Sequence, residues 1–189
     1  MRLIDGFLAV VFSAFAIAMP AVAQTTPAFA GPYVPTPHAI ADRMLTLASV
    51  GPNDYLIDLG SGDGRLVIAS VAKYKARGAA GIEIDADLVK QSIDRATQAG
   101  VADRVTFTAG DLFAADIGKA TVVTLYLLPS IMEKVQEKLR KELKPGTRVL
   151  SHDYPLPPWE PVEVITFDSE EKVAISGTSR TIVYLYRVP

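Results

Sequence analysis

The stretch LIDLGSGDGRLVI, Leu56 to Ile68, places three alternating glycines between two apolar runs. The first run is typical of a strand buried on both faces, and the second begins a helix. A glycine has no Cβ atom, so it can adopt a positive φ and let a ligand contact the backbone. Because the first N–H groups of a helix are free to bind a ligand, this stretch predicts a binding turn. The alternative is a glycine-rich turn that holds no ligand.

Strand and helix signals alternate through the first three quarters of the chain. Short apolar runs predict strands, and apolar residues at helical spacing predict helices between them. Such alternation is typical of a parallel sheet covered by helices on both faces. The predicted strands are 55–59, 79–84, 105–109, 120–126 and 148–151, and the predicted helices begin at Thr36-Pro37, at 66, after Asp85 and at 129.

The last part of the chain has a different pattern. Residues 162–167, 172–176 and 181–187 are predicted as strands joined by short turns, without a helix among them. The predicted fold class is therefore α/β, a Rossmann-like, doubly wound, mostly parallel sheet with a C-terminal antiparallel hairpin. Ligands of such sheets bind at the carboxyl ends of the strands, which is where the glycines lie.

Helical spacing also predicts which side chains face the core. The hydroxyl of Thr36 is predicted to cap the first helix, and Asp85 and Asp87 to cap the third. The third helix is predicted to bury Leu88, Val89, Ile93 and Ala96, and the fourth to bury Met132, Val135, Leu139 and Leu143. The solvent face of the fourth helix is predicted to carry Glu133, Lys134, Glu137, Lys138 and Lys141.

Two carboxylates follow the next strands and indicate a nucleoside. Glu83 ends the second strand, where a carboxylate can accept both hydroxyls of a ribose, and Asp111 follows the third, where it can accept from an adenine amine. A dinucleotide and S-adenosylmethionine both contain these groups. The loop reads GxGxG rather than the dinucleotide pattern GxGxxG, and Asp58 and Asp63 suit an ammonium better than a pyrophosphate. The pattern favours S-adenosylmethionine.

These residues carry a resemblance to a known family. The run Asp58 to Gly64 resembles motif I of the class I, seven-strand S-adenosylmethionine-dependent methyltransferases. The runs 81–85 and 110–112 resemble the acidic motif and the adenine-side motif of that family. More narrowly, PYVPTP at 32–37, Asp63-Gly64-Arg65 and DYPLPPW at 153–159 resemble the small protein-lysine methyltransferases that act on the ATP synthase c subunit, and their bacterial relatives. The likeness extends from Tyr33 to Arg187 and implies a seven-strand sheet.

The resemblance also implies roles for individual residues. The methionine end of the cofactor would meet the strand end and glycine loop, Glu83 would hold the ribose, and the arm before the first helix would close as a lid. The implied cofactor-binding residues are Tyr33, Thr36, Asp58, Gly60, Ser61, Gly62, Asp63, Glu83, Ile84, Asp111 and Leu112. Candidates for a catalytic role at the strand ends are Tyr126, His152 and Asp153.

The activity implied is methyl transfer from S-adenosylmethionine to a protein lysine amine. A small-molecule methyltransferase and a catalytically silent S-adenosylmethionine-binding module are alternatives, the second because no base is obvious. An NAD-linked oxidoreductase is disfavoured by the loop spacing. Tyr126-Leu127-Leu128-Pro129 stands where amino-directed nucleic-acid methyltransferases have Asn-Pro-Pro-Tyr, and the net charge is −2, so no nucleic-acid partner is expected.

Composition excludes several other chemistries. The chain has no cysteine, which removes disulfides, thiolate metal sites and a cysteine nucleophile. It has two histidines, and no metal constellation is predicted.

The first residues have the pattern of a leader. An apolar run at 7–18 precedes Ala21-Val22-Ala23, which is typical of a signal-peptidase site. We predict a signal peptide or membrane anchor at 1–23, a Pro-rich arm at 24–37 and a single methyltransferase domain at 38–189. The leader predicts an exported, periplasmic or membrane-tethered protein, in conflict with the cytosolic supply of the cofactor. A tether that contacts the membrane suits a membrane-embedded protein substrate, and a monomer is expected.

Overall fold

The computed structural model describes residues 33–189, in which a seven-stranded sheet carries helices on both faces. The predicted leader and the first part of the arm lie outside the described residues. The strands are β1 Tyr55–Leu59, β2 Gly78–Glu83, β3 Val105–Ala109, β4 Val122–Leu125, β5 Arg148–His152, β6 Glu163–Asp168 and β7 Arg180–Arg187. The α-helices are α1 His38–Leu47, α2 Arg65–Ala72, α3 Ala86–Gln98, α4 Met132–Glu142 and α5 Glu170–Ser176, and a 3-10 turn at Pro129–Ile131 precedes α4.

The order of strands across the sheet is β3-β2-β1-β4-β5-β7-β6. The first five strands pair in parallel, and β7 runs antiparallel to both β5 and β6. The chain therefore reverses its direction of winding between β1 and β4, and the glycine loop after β1 opens into that crevice. The predicted fold class and the predicted seven-strand sheet are confirmed.

Two apolar layers hold the sheet between its helices. On one face, buried side chains of α1, α2 and α3 pack against alternate residues of the strands, among them Leu56 and Leu150. On the other face, α4 packs Met132, Val135 and Leu139 against the residues that alternate with those. Strands buried on both faces explain why the sequence shows continuous apolar runs rather than alternation.

The segment predicted as a strand at 172–176 is wrong, because Glu170–Ser176 forms the helix α5 between β6 and β7. Two glutamates occupy its first turn, which favours a helix N-terminus, and Gly177 ends it at φ 74°. A five-residue apolar run does not by itself distinguish a short helix from a strand. The hairpin of β6 and β7 therefore has a helix inserted at its tip.

Three side-chain predictions are also corrected. Thr36 does not cap α1, because Pro37 occupies the N-cap position and Glu171 Oε2 of α5 accepts the N–H of His38 at 3.0 Å. Ile93 is 48% exposed rather than buried. Lys138 is buried rather than solvated, because it points from α4 toward the loop after β3. Asp85 caps α3 as predicted, accepting the N–H groups of Asp87 and Leu88.

The described helices are short. None of those within residues 33–189 combines the length and the apolar character that a bilayer span requires.

Candidate functional site

The loop between β1 and α2 is built from backbone conformations that favour glycine. Gly60, Gly62 and Gly64 have φ values of 79°, 53° and 77°. A Cβ atom on Gly62 would clash with Cε2 of Tyr33, so the ring of Tyr33 covers the loop at that point. The N–H groups of Gly60 and Ser61 both donate to the carbonyl of Ile82, which fixes the loop against the end of β2. The loop is therefore tightly shaped, and Gly60, Ser61 and Gly62 line the pocket beside it.

Asp58 is a buried carboxylate at the end of β1. Its Oδ1 accepts a hydrogen bond from the hydroxyl of Thr124 on β4 at 2.6 Å, and within residues 33–189 the carboxylate accepts no other hydrogen bond. The pKa of Asp58 is raised to about 7, mainly by burial; the hydrogen bond from Thr124 acts to lower it, and the nearby carboxylates of Glu83 and Asp63 act to raise it. A buried acid with a single neutral donor is energetically suited to receive a cation.

Asp63 has a different environment from Asp58. Arg65 donates Nε and Nη2 to its two carboxylate oxygens at 2.8 and 2.6 Å, and Arg95 of α3 donates to the second oxygen. Although burial acts to raise the pKa of Asp63, these two guanidinium groups lower it to about 2. Both oxygens of Asp63 are therefore already paired, which leaves Asp58 as the carboxylate available to an ammonium.

Glu83 ties the glycine loop to the end of β2. Its Oε2 accepts the N–H of Gly62 at 2.8 Å, and its Oε1 accepts the N–H of Asp85 at 3.1 Å. The backbone carbonyl of Glu83 accepts the N–H of Gly110, so the loop that carries Asp111 and Leu112 begins beside it. Ile84 next to it is 55% exposed, which leaves an apolar side chain at the surface where the strand ends. A ribose bound at Glu83 and an adenine near Asp111 would fit this order of the strand ends.

The arm before α1 closes one side of the loop. Arg65 Nη1 donates to the carbonyl of Thr36 at 2.8 Å, and the Thr36 hydroxyl lies 3.3 Å from His152 Nδ1. A pocket forms between the arm and the loop. Of the predicted site residues it is lined by Tyr33, Thr36, Asp58, Gly60, Ser61, Gly62, Asp63 and Tyr126. Glu83, Ile84, Asp111 and Leu112 lie outside this pocket, along the neighbouring strand ends.

The residues of the loop fit S-adenosylmethionine. Asp58 faces the pocket with one hydrogen bond, and the buried Ser61 Oγ has no hydrogen-bond partner within residues 33–189. Asp58 can accept from an ammonium. Ser61 Oγ faces Gly81 of β2, since a Cβ on that glycine would lie 2.5 Å from it. The absence of a Cβ at Gly62 lets the ring of Tyr33 lie directly against the backbone of the loop. The carboxylate acceptors at the strand ends suit a ligand in which an amino acid with an ammonium group is joined to a nucleoside.

The three catalytic candidates lie at different depths. Tyr126 lines the pocket, and its ring centroid is 4.0 Å from that of His152. His152 is fully buried beneath it, and its Nε2 has no hydrogen-bond partner within residues 33–189. Burial raises the pKa of Tyr126 to about 12 and lowers the pKa of His152 to about 4. At neutral pH both side chains are therefore uncharged.

Asp153 does not line the pocket, and its Oδ2, which lies 3.6 Å from Nε2 of the buried His152, is bound in an ion pair. Lys172 of α5 donates to its Oδ2 at 2.6 Å and to the carbonyl of Arg180 at 2.5 Å, and the N–H of Ile182 donates to its Oδ1 at 3.2 Å. Asp153 has a φ of 62°, a backbone conformation that residues other than glycine adopt at a cost in free energy. Lys172 is buried, so this pair fixes the turn after β5 and the position of α5.

Replacing Lys172 by methionine should lower the free energy of unfolding by about 1–2 kcal/mol, because it leaves the carboxylate of Asp153 with a single hydrogen bond. Urea unfolding followed by circular dichroism measures the change. Lys73→Met is the matched control, since its ion pair with Asp42 is largely exposed and should contribute much less to stability. Equal losses in the two variants would contradict a structural role for the Lys172 pair.

Sequence reasoning missed three residues that shape the site. Thr124 lies opposite Asp58 in the register of β4 and β1. It is polar in an otherwise apolar strand, and that exception in the sequence could have marked it as a site residue. Arg65 follows Asp63 closely enough for a local pair to be expected. Arg95 comes from α3, and no local pattern links it to the glycine loop.

The chain is similar to a family of methyltransferase domains and to curated protein-lysine methyltransferases. Residues 58–163 match the family model described as ANTKMT methyltransferase domain. The chain is 40% identical over 155 residues to a protein-lysine N-methyltransferase of Saccharolobus islandicus, covering 82% of this chain and 92% of that protein. It is 32% identical over 162 residues to the human lysine N-methyltransferase of the ATP synthase c subunit, and the match covers 86% of this chain and 67% of that protein.

A solved structure is similar over most of the chain. It is a protein from Salinibacter ruber in complex with S-adenosyl-L-homocysteine, described as an RNA methyltransferase, with a TM-score of 0.73 and 50% identity. The match covers 82% of this chain and 94% of that one. The bound ligand is the demethylated product of the cofactor that the glycine loop predicts. The sequence relatives and this structure are described with different methyl acceptors.

Proposed function

We propose that this chain, which belongs to the ANTKMT methyltransferase-domain family, transfers the methyl group of S-adenosylmethionine to the side-chain amine of a protein lysine. The observation that carries the proposal is the 40% identity to an archaeal protein-lysine N-methyltransferase along nearly its whole length. The buried acid at the end of β1 and the acid at the end of β2 add the groups that hold such a cofactor.

The residues that would hold the cofactor follow from their charges and positions. Asp58 would accept the ammonium of the methionine moiety, and the loop backbone at Gly60 and Gly62 would contact it. Glu83 would accept the ribose hydroxyls, and Asp111 would accept from the adenine amine. The bound sulfonium supplies an activated methyl group, and the chain's part is to hold it in line with the incoming amine.

Alignment and exclusion of water carry the reaction in this proposal. The lysine amine must arrive uncharged, because only a free lone pair can attack the methyl carbon. The uncharged pair of Tyr126 and His152 lowers the polarity of the pocket wall, and a poorly solvated lysine loses its proton more readily. Asp153 is occupied by Lys172, and His152 is covered by Tyr126 and Thr36. We therefore propose that Tyr126 orients the amine. The lysine ammonium loses its proton to solvent before the attack.

Replacing Tyr126 by phenylalanine should lower kcat about tenfold, because one hydrogen bond to the attacking amine is lost. The Kd for S-adenosylhomocysteine should stay within about twofold, since the ring and its contact with His152 remain. Single-turnover methyl transfer and calorimetry measure the two quantities. Tyr74→Phe is the control, because its hydroxyl donates to the carbonyl of Asp42 on α1 and Tyr74 does not line the pocket. An unchanged kcat in Tyr126→Phe would show that the Tyr126 hydroxyl does not orient the attacking amine.

We extend the proposal to the partner and the location. The substrate is a membrane-embedded protein, the chain acts as a monomer, and its N-terminal leader tethers it to the membrane where that substrate lies. The apolar run at 7–18 supports the tether, and a c-subunit lysine is the acceptor named for the human relative. Fractionation of a C-terminally tagged full chain tests the location, and wholly soluble cytosolic protein of full length would contradict it.

RNA is a second candidate acceptor, because the 50% identical Salinibacter ruber protein is described as an RNA methyltransferase. The net charge of −2 disfavours it, since nucleic-acid binding relies on excess positive charge.

Methyl-labelled S-adenosylmethionine distinguishes the two acceptors. The full chain is incubated with membrane, soluble-protein and RNA fractions from cells of the source organism that lack the gene. Label in methyl-lysine after acid hydrolysis of a protein fraction supports the proposal. Label in a nucleoside after RNA digestion supports the alternative. If neither acceptor is labelled but the protein still binds the cofactor, the chain is the catalytically silent binding module.

A further inference from the structure

A buried lysine on α4 contacts the loop that follows β3. Lys138 Nζ donates to the carbonyl of Ala115 at 2.6 Å and lies 3.3 Å from the carbonyl of Phe113. Both carboxylate oxygens of Glu142, one helical turn on, lie 2.8 Å from the same ammonium. The side chain of Lys138 is 6% exposed. A lysine is rarely buried to this extent unless all its hydrogen bonds are satisfied, as they are here.

The loop that Lys138 holds is the one that carries Asp111. Asp111 Oδ1 accepts the N–H of Phe113 at 2.8 Å, and the carbonyl of Asp111 accepts the N–H of Ala114 at 3.0 Å. These two bonds form a tight turn that fixes the direction of the Asp111 carboxylate. Its second oxygen accepts no hydrogen bond within residues 33–189. The ammonium of Lys134 also lies 4.0 Å from the centre of the Phe113 ring, so α4 contacts this turn twice.

The two sets of contacts meet at Phe113. Its N–H is bound by Asp111 and its carbonyl is near Lys138, so the peptide groups on both sides of this residue are fixed. The beginning of the same loop is fixed to β2 by the bond from Gly110 N–H to the Glu83 carbonyl at 2.8 Å. Without the ammonium, the carbonyls of Phe113 and Ala115 lose their donor, and the turn can change the direction of the carboxylate.

We propose that Lys138 is a positioning residue for adenine recognition: by binding the carbonyls of Phe113 and Ala115 it holds the turn from which Asp111 accepts the exocyclic amine of adenine. The inference rests on the proposed cofactor site. Lys138 does not contact the cofactor and acts through Asp111. The role explains why α4 carries a lysine at a position that the helical pattern leaves to the solvent face.

The test compares S-adenosylhomocysteine with S-inosylhomocysteine, in which a carbonyl oxygen replaces the adenine amine. The wild-type protein should bind the first at least tenfold more tightly, because a carboxylate repels that oxygen. Lys138→Met should reduce the ratio of the two Kd values to threefold or less. Lys141→Met on the same helix removes an exposed charge and should leave the ratio unchanged. Calorimetric titration measures each Kd, and thermal unfolding verifies that each variant is folded.

A double-mutant cycle of Lys138→Met and Asp111→Ala separates a positioning role from a general loss of stability. If Lys138 acts through Asp111, then Asp111→Ala and the double variant with Lys138→Met have the same ratio of Kd values. An unchanged ratio in folded Lys138→Met, or losses that add in the double variant, would overturn the inference. If Lys138→Met does not fold, Lys138→Gln, which keeps an uncharged NH2 donor group, should give an intermediate ratio, and a wild-type ratio would overturn the inference. A wild-type protein that binds neither nucleoside would overturn the proposed cofactor site as well.

Discussion

Replacing Asp58 by asparagine should raise the Kd for S-adenosylhomocysteine about 100-fold at pH 8, because the ligand's ammonium loses its charged partner. Asp58 is the one carboxylate of the pocket whose oxygens are not taken by arginines, since Asp63 is paired with Arg65 and Arg95. Asparagine keeps the size of the side chain and can still accept from Thr124. The loss is therefore one of charge rather than of shape.

The same substitution should stabilise the ligand-free protein. With its pKa raised from 3.8 to about 7, Asp58 binds a proton more tightly in the folded state than in the unfolded state. Its contribution to the free energy of unfolding therefore declines as the pH rises between those two values and stays low above them. A neutral asparagine avoids this cost, so Asp58→Asn should be more stable at pH 8 by about 1–3 kcal/mol.

Affinity in the wild type should follow the same ionisation. A group with a pKa of about 7 is largely protonated at pH 6 and largely ionised at pH 8, so the Kd should be about tenfold higher at pH 6. In Asp58→Asn this pH dependence should vanish. 5′-Methylthioadenosine, which lacks the amino acid, should bind both proteins equally at both pH values. Asp94→Asn, at an exposed position of α3, serves as the control variant. Wild-type affinity in Asp58→Asn would show that the ammonium binds elsewhere.

Replacing Glu83 by glutamine should also raise the Kd for S-adenosylhomocysteine about 100-fold, because two interactions are lost together. The two oxygens of Glu83 accept the N–H groups of Gly62 and Asp85. A glutamine has one oxygen, so its amide NH2 must face one of these N–H donors. The glycine loop then shifts at Gly62, and the ribose hydroxyls lose a charged acceptor.

The effect of Glu83→Gln on the free energy of unfolding should be of similar size and opposite sign to that of Asp58→Asn. One buried N–H loses its acceptor, which should lower the free energy of unfolding by about 1–3 kcal/mol. Glu137→Gln on the exposed face of α4 is the control and should change neither quantity. Urea unfolding and calorimetry on the same samples separate the two effects. Retained affinity in Glu83→Gln would place the ribose away from β2.

The features that the sequence predicted correctly are those with local causes. Apolar runs bounded by turn residues located the strands, which agree with the structure within two residues. The central strands β1, β2, β4 and β5 are buried along nearly their whole length, and such strands are mostly apolar. The glycine loop, Asp85 as a helix cap and the place of the site at the strand ends follow from short-range rules. α5 was missed because its few residues satisfy a strand pattern equally well.

The features that it did not predict depend on contacts between distant segments. Lys138 looks solvated on a helical wheel, and its burial depends on where the loop after β3 lies. The pairing of Asp63 with Arg95 joins residues more than thirty positions apart, so the charge of Asp63 appeared available to the cofactor. The Thr36 hydroxyl faces His152 because α5 already supplies the cap of α1. Each of these requires the tertiary arrangement.

Calorimetric titration of the full chain with S-adenosylhomocysteine and NAD in parallel, repeated with Asp58→Asn, tests the assignment of the glycine loop most directly. We predict one-to-one binding of S-adenosylhomocysteine, no binding of NAD and an affinity about 100-fold weaker in the variant. Binding of NAD, or equal affinity of the two proteins for S-adenosylhomocysteine, would contradict the assignment.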